Sequence, residues 1–250
     1  MSLVISNLTL STPKRCLIKD LSLTVKPNQR WVVLGPNGAG KSSLLKSCVG
    51  LGTQSGITIK DKAISDYTPK ERANHIGLLS QQSLTGFNTR TIDLVLSGSF
   101  SRSNAYWNDQ QHIDQAKALL HSLSLSNQAM QITSALSGGE LRRAEIARLM
   151  LQNPYIMLLD EPLNHLDLHQ QKATQDILLD HLRINNKAAL WVEHDLNRAK
   201  AIATHALLLK GDGTWKAGTA SEYLTIDHLS ELLDTPLQSI GEQGYLSVSY

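Results

Sequence analysis

"WVVLGPNGAGKSSLL", residues 31–45, is an apolar β-branched run that stops at Gly35 and is followed by a glycine-rich turn, Lys41, and a helix-forming segment. Strand, glycine loop, Lys-Ser and helix in that order form a phosphate cradle. Gly35, Gly38 and Gly40 let the loop turn its N–H groups inward, with Pro36, Asn37 and Ala39 filling the positions between them. Lys41 reaches β- and γ-phosphates, the Ser42 hydroxyl can ligate Mg²⁺, and Ser43 continues the helix start. The same pattern decides the fold class, because a buried strand feeding such a loop belongs to a parallel sheet covered by helices.

Outward from the loop, "LVISNLTL" and "LSLTVK" alternate as half-exposed antiparallel strands, and "GITIKDKAI" reads as strand and turn. "TPKERAN" carries Thr68, Pro69 and Glu71 in the arrangement of a capping box. "HIGLLSQ", "YIMLLDE", "AALWVEH" and "HALLLK" are buried-strand runs with helical patterns between and after them. From about 83 to 153 the character is mostly helical, and the last 30 or so residues hold one short helical pattern. The expected fold is therefore α/β: a parallel-sheet core, an N-terminal antiparallel β part and a helical insertion. The expected division is a main domain over 1–220 and a short appendage over 221–250.

Composition narrows the function classes. The 250 residues carry a formal charge of +2, which gives no case for nucleic acid as a partner. Cys16 and Cys48 are far apart and in no metal-binding spacing, as in a reducing compartment. The opening "MSLVISNLTLSTPKR" lacks the basic-then-apolar order of a signal peptide, and no run reaches about 18 apolar residues. A link to a membrane is expected to come through a partner.

A second anion-binding helix start stands at "LSGGELRRAEIARL", residues 136–149, where Ser137, Gly138, Gly139 and Glu140 open a helix. "YIMLLDEP" ends a buried strand in Asp160 and Glu161. Asp160 suits Mg²⁺ held through water, and Glu161 suits a general base; the bland alternative is a pair of strand-end caps. His194 in "WVEHD" reads as a γ-phosphate sensor or as a plain strand-end polar residue. Glu193 alternates to the other face and is expected to pair or solvate. Gln81 could ligate Mg²⁺ or orient water.

Taken in order, "GPNGAGKSS", Gln81, "LSGGE", "IMLLDEP", "NHLD" and "WVEHD" resemble the nucleotide-binding domain of an ABC ATPase over about 190 residues. The resemblance implies a P-loop NTPase (RecA-like) core with ATP and Mg²⁺ as its ligands. It makes 35–43 the Walker A loop, Gln81 the Q-loop and 137–140 the signature. Asp160 and Glu161 end Walker B, 164–167 form the D-loop with Asp167, and His194 is the switch histidine. It also answers why one chain holds two phosphate-gripping helix starts. In that family two copies pack head to tail, and the signature of one completes the nucleotide site of the other.

Three positions depart from the family pattern. Leu141 stands where a polar residue is usual, with Arg142 and Arg143 keeping the basic character; Leu163 replaces a common Thr. Ser11 and Thr12 occupy the place of the aromatic residue that stacks on adenine, and Trp31 lies too close to the P-loop strand to substitute for it. "NHLDL" and "LTIDHLSELLDTPLQSI" are similar to importers of iron–siderophores, heme and cobalamin. The expectation is a peripheral ATPase subunit on the cytoplasmic side of the inner membrane. Its expected partners are a second copy, transmembrane permease subunits that the 83–153 region docks onto, and a substrate-binding protein. The alternative is a soluble ABC ATPase such as the iron–sulfur cluster assembly type.

Overall fold

A computed structural model describes residues 1–52, 55–82, 88–102, 110–240 and 245–248. Parts of the expected helical insertion, 83–87 and 103–109, lie outside the described residues, as do 241–244 of the tail. The chain divides into two units, one of residues 1–66 with 188–250 and one of residues 67–187.

The first unit opens with β1 (Leu3–Ser11), β2 (Cys16–Val25), β3 (Arg30–Leu34), α1 (Lys41–Cys48), β4 (Ile57–Ile59) and β5 (Lys62–Ala63). β1 and β2 pair antiparallel, as their alternation requires, and β4 and β5 extend that sheet in the order β2-β1-β4-β5. Leu3, Ile5, Leu8, Leu21 and Ile57 fill its inner face.

The second unit holds α2 (Pro69–His75), β6 (Ile76–Leu79), α3 (Thr91–Leu96), α4 (Gln110–Ser122), α5 (Gly138–Gln152), β7 (Ile156–Asp160) and α6 (Leu168–Ile184). α2 starts with the expected capping box: Thr68 Oγ1 accepts from Glu71 N, and Glu71 reciprocates on the Thr68 backbone. β6 and β7 run parallel in the register Leu79↔Leu159, so Ser80 and Asp160 leave the sheet side by side. α5 ends where Asn153 takes a left-handed conformation, φ 48°.

The chain then returns to the first unit with β8 (Ala188–Val192), α7 (Leu196–Ile202), β9 (His205–Leu209), β10 (Trp215–Thr219), α8 (Ala220–Tyr223), α9 (Ile226–Leu233), β11 (Leu237–Ile240) and β12 (Tyr245–Val248). β3 lies between β8 and β9 and is parallel to both. These strands are almost wholly buried, which explains their unbroken apolar runs.

Two features differ from the sequence expectation. β10 adds an antiparallel edge to β9, although "WKAGT" shows no alternation of burial. The tail holds, besides the helical α9, a short antiparallel pair, β11 with β12. It is tied to α7 by Asn197, whose side chain bonds both the N–H and the carbonyl of Leu246. Cys48 is buried and its thiol is pushed up to about 12, so it stays protonated and inert.

His181, on α6, carries a pH dependence. Burial first, then the charges of Lys187 and Arg102, lower its pKa from 6.5 to about 4. The unfolded chain therefore takes up this proton at a higher pH than the folded one does. Stability is complete above about pH 6.5 and is lost as pH falls toward 4. The slope approaches about 1.4 kcal/mol per pH unit. His181→Gln should flatten that segment of a stability-versus-pH curve measured by urea denaturation.

Candidate active site

In the first unit, β3 delivers Gly35 to a turn that passes close under β9. A Cβ on Gly35 would lie 2.2 Å from the Leu209 carbonyl oxygen, so only glycine allows this approach. Pro36, Asn37 and Gly38 form an exposed rim, and Ala39 N donates back to Pro36 O at 3.2 Å. Gly40, at φ 99°, begins α1 with no side-chain cap, and no acidic residue stands in the first turn. The N–H groups of this helix start thus receive no side-chain cap from the chain itself. Lys41 is buried and its Nζ donates to Gly35 O at 2.7 Å and Pro36 O at 3.0 Å, which holds the ammonium over the loop. Ser42 is half-buried and Ser43 exposed.

Arg15 reaches the same loop, donating from Nη2 to Gly38 O at 3.1 Å. Ser11 and Thr12 leave no aromatic ring there. Trp31 is committed elsewhere: it is buried, stacks on His205 with ring centroids 4.7 Å apart, and donates to Gln29 Oε1. His194 is exposed just past the end of β8. Glu193 beside it is buried and pairs with Arg198 while accepting from the N–H groups of His194 and Asp195.

In the second unit, β7 carries Asp160 to its end with the carboxyl 3 % exposed. Glu161 follows with φ 49°, a left-handed turn that swings its side chain off the strand line. Its Oε2 accepts from Gln81 Nε2 at 3.2 Å and from Asn164 Nδ2. The expected base and the expected Q-loop residue therefore meet directly, with Asn164 as a second amide on the same oxygen. Ser137 caps α5 in a second capping box. Its Oγ accepts from Glu140 N at 3.3 Å, and Glu140 Oε2 accepts from Ser137 N and Oγ, both at 2.8 Å. These bonds, the backbone one first, hold the Glu140 carboxyl below the usual carboxylate range. Gly138 is exposed, and Gly139 lies so close to the His165 carbonyl that an added Cβ would stand at 3.0 Å. Asp167 caps α6, accepting from Gln170 N at 2.8 Å.

Arg142, read from the sequence only as keeping a basic character after the signature, has a larger part in the structure. Only 2 % exposed, it donates from Nε to Pro162 O (3.1 Å), from Nη1 to Ser80 O (2.6 Å) and Glu145 Oε2 (3.4 Å), and from Nη2 to Asp160 O (2.7 Å) and Glu161 O (2.9 Å). Burial pulls its pKa down, opposed chiefly by Glu145. The available signal was an Arg–Glu pair three apart in a helix otherwise full of Ala, Ile and Leu.

The sequence profile of the ABC transporter family matches residues 18–164, more than half of the chain. The chain belongs to the ABC transporter family. It is 31% identical to the "Probable iron chelatin transport ATP-binding protein" of Helicobacter pylori over 99% of both chains. It is 30% identical to the hemin import ATP-binding protein HmuV of Shewanella denitrificans, over 96% of each. A chain from a structure described as an inward-facing conformation of a metal-chelate type ABC transporter superposes with a TM-score of 0.81 at 26% identity, covering 100% of this chain and 97% of that one. As an ABC transporter ATP-binding domain, the chain is an ATPase. Among the described residues no helix is long and apolar enough to cross a membrane.

The α5 cap has a measurable signature. Because the folded pKa of Glu140 is depressed, the box contributes stability above the ordinary carboxylate pKa, and this is lost as pH falls through the folded value. Ser137→Ala should cost about 0.5–2 kcal/mol. It should also raise the Glu140 pKa, read by NMR titration of the side-chain carboxyl carbons.

Proposed function

We propose that this ABC ATPase powers the import of a metal chelate of the siderophore, heme or cobalamin kind through partner membrane subunits. The observation that carries the cargo class is the end-to-end similarity to ATP-binding proteins named for iron chelatin transport and for hemin import. Two copies of the chain would pack head to tail on the cytoplasmic side of the inner membrane. Residues 83–153 would dock onto transmembrane permease subunits, and a substrate-binding protein would deliver the chelate. In this reading 1–220 is the ATPase domain and 221–250 its appendage.

Residue roles follow from the chemistry of each group. The N–H groups of the 35–43 loop and the α1 start cradle the phosphates, and Lys41 moves its ammonium from the loop carbonyls onto β- and γ-oxygens. A buried strand-end carboxylate on Asp160 and a hydroxyl on Ser42 are hard oxygen donors of the kind Mg²⁺ prefers, with the Gln81 amide oxygen as a third. Bound there, Mg²⁺ supplies neutralisation of phosphate charge. Glu161, oriented by the amides of Gln81 and Asn164, takes the proton of the attacking water. His194 contacts the γ-phosphate. Ser137, Gly138, Gly139 and Glu140 receive the nucleotide of the other copy, with Asp167 in the neighbouring D-loop. ATP then draws the copies together, and hydrolysis lets them part.

Two measurements test this. Glu161→Gln keeps the phosphate grip and removes the base, so ATP should still bind while hydrolysis falls about 10²–10⁴-fold. The variant should form an ATP-dependent dimer on size-exclusion chromatography; a monomer with Mg-ATP contradicts the head-to-tail reading. For the cargo, deletion of the protein in its own host should abolish uptake of labelled siderophore, heme or cobalamin. Unchanged uptake of all three discards the cargo class and leaves the ATPase intact.

A further inference from the structure

A guanidinium has five N–H donors, and Arg142 directs all five to acceptors inside the second unit. Four of those acceptors are backbone carbonyls: Ser80, next to Gln81, and the consecutive Asp160, Glu161 and Pro162. The residue itself sits on α5 five positions after the Ser137 cap, about 6 Å along the helix from its first residue, Gly138. One end of this short stretch of helix is the signature. The other end grips the main chain that aims Gln81 and Glu161.

We propose that Arg142 couples the two nucleotide sites of the dimer. Displacement of the α5 start, when it takes up the nucleotide of the other copy, is carried through the guanidinium to the carbonyls at 80 and 160–162, and so to the Gln81–Glu161 pair of the same chain. The proposal rests on the head-to-tail ATPase reading given above. Its physical basis is that the helix and the loops cannot part cheaply. The shortest bonds, 2.6 and 2.7 Å, are made to different segments, and losing them would strand a charge with 2 % exposure. The segments therefore follow the helix. Neither a lysine, with a point charge, nor a methionine, with the volume alone, can replace a planar fork that binds four carbonyls at once. Arg142 touches no nucleotide in this scheme; it is a positioning residue, and Glu161 remains the base.

The test uses the full chain in its transporter complex. Wild-type hydrolysis should rise sigmoidally with ATP. Arg142→Lys should lower kcat at least about tenfold and bring the Hill coefficient toward 1, with the Kd of a fluorescent ATP analogue changed by less than about threefold. In a Glu161→Gln background, Arg142→Lys should still give the ATP-dependent dimer, which separates lost coupling from lost assembly. A hyperbolic wild-type response from a dimer overturns the proposal, as does an Arg142→Lys chain that keeps both kcat and cooperativity, or one that loses binding in step with kcat.

A second measurement leaves Arg142 in place. In a mixed dimer, one protomer carries Lys41→Ala and binds no nucleotide of its own. ATP on the other protomer should slow amide exchange at 160–164 of the Lys41→Ala chain. Unchanged exchange there overturns the coupling. Absence of any ATP-dependent dimer from Glu161→Gln alone overturns the ATPase-dimer reading instead.

Discussion

A guanidinium keeps its proton inside a protein, so burying Arg142 obliges the surrounding chain to supply acceptors for every N–H. The second unit meets this requirement with the main chain of its two parallel strands. Their register brings Ser80 and Asp160 out of the sheet as neighbours, and the left-handed turn at Glu161 presents the next carbonyls to the same fork. Glu145, buried three residues on in α5, provides the counter-charge. The result is a set of loops whose backbone is gripped by one side chain, while Glu161 and Gln81 make their own contact. A carboxylate proposed to act as a base needs this support, since its direction is inherited from the backbone that carries it.

The helix starts divide along similar lines. α2, α5, α6 and α7 are each closed by a side chain, from Thr68, Ser137, Asp167 and Asp195. α1 begins on Gly40 without such a cap, and Lys41 folds its ammonium over the loop. α3 and α8 also begin without a side-chain cap, so what sets α1 apart is the glycine loop before it, a kind of helix start at which a phosphate can take the place of a cap. α5 is the intermediate case. Its capping box is complete, while Ser137 and Gly138 remain exposed.

The family relationship fits this chemistry without replacing it. An ATP-binding protein named for iron chelatin transport and one named for hemin import resemble the chain along nearly its whole length, including the tail that forms α9 and the β11–β12 pair. No described feature of the ATPase recognises a chelate; the inference about cargo passes through relatives, because a fold hosts many functions and only a site specifies one.

The sequence by itself determined whatever depends on residues close together in the chain. Glycine spacing declared the phosphate loop, Thr68–Glu71 and Ser137–Glu140 declared two helix starts, and unbroken apolar runs declared strands buried on both faces. Strand-end Asp160 and Glu161 were legible for the same reason. What only the tertiary structure decided involves partners far apart. Gln81 and Glu161 are 80 residues distant, and Arg142 finds its carbonyl acceptors 18 to 62 residues away. The edge strand β10 shows no alternation because its residues are all at least partly exposed, and the stacking partner of Trp31 is His205, a neighbour on the next strand. Local propensity records the conformation a segment prefers. Which buried donor meets which carbonyl is set by strand register and helix packing, and these exist only once the chain has folded.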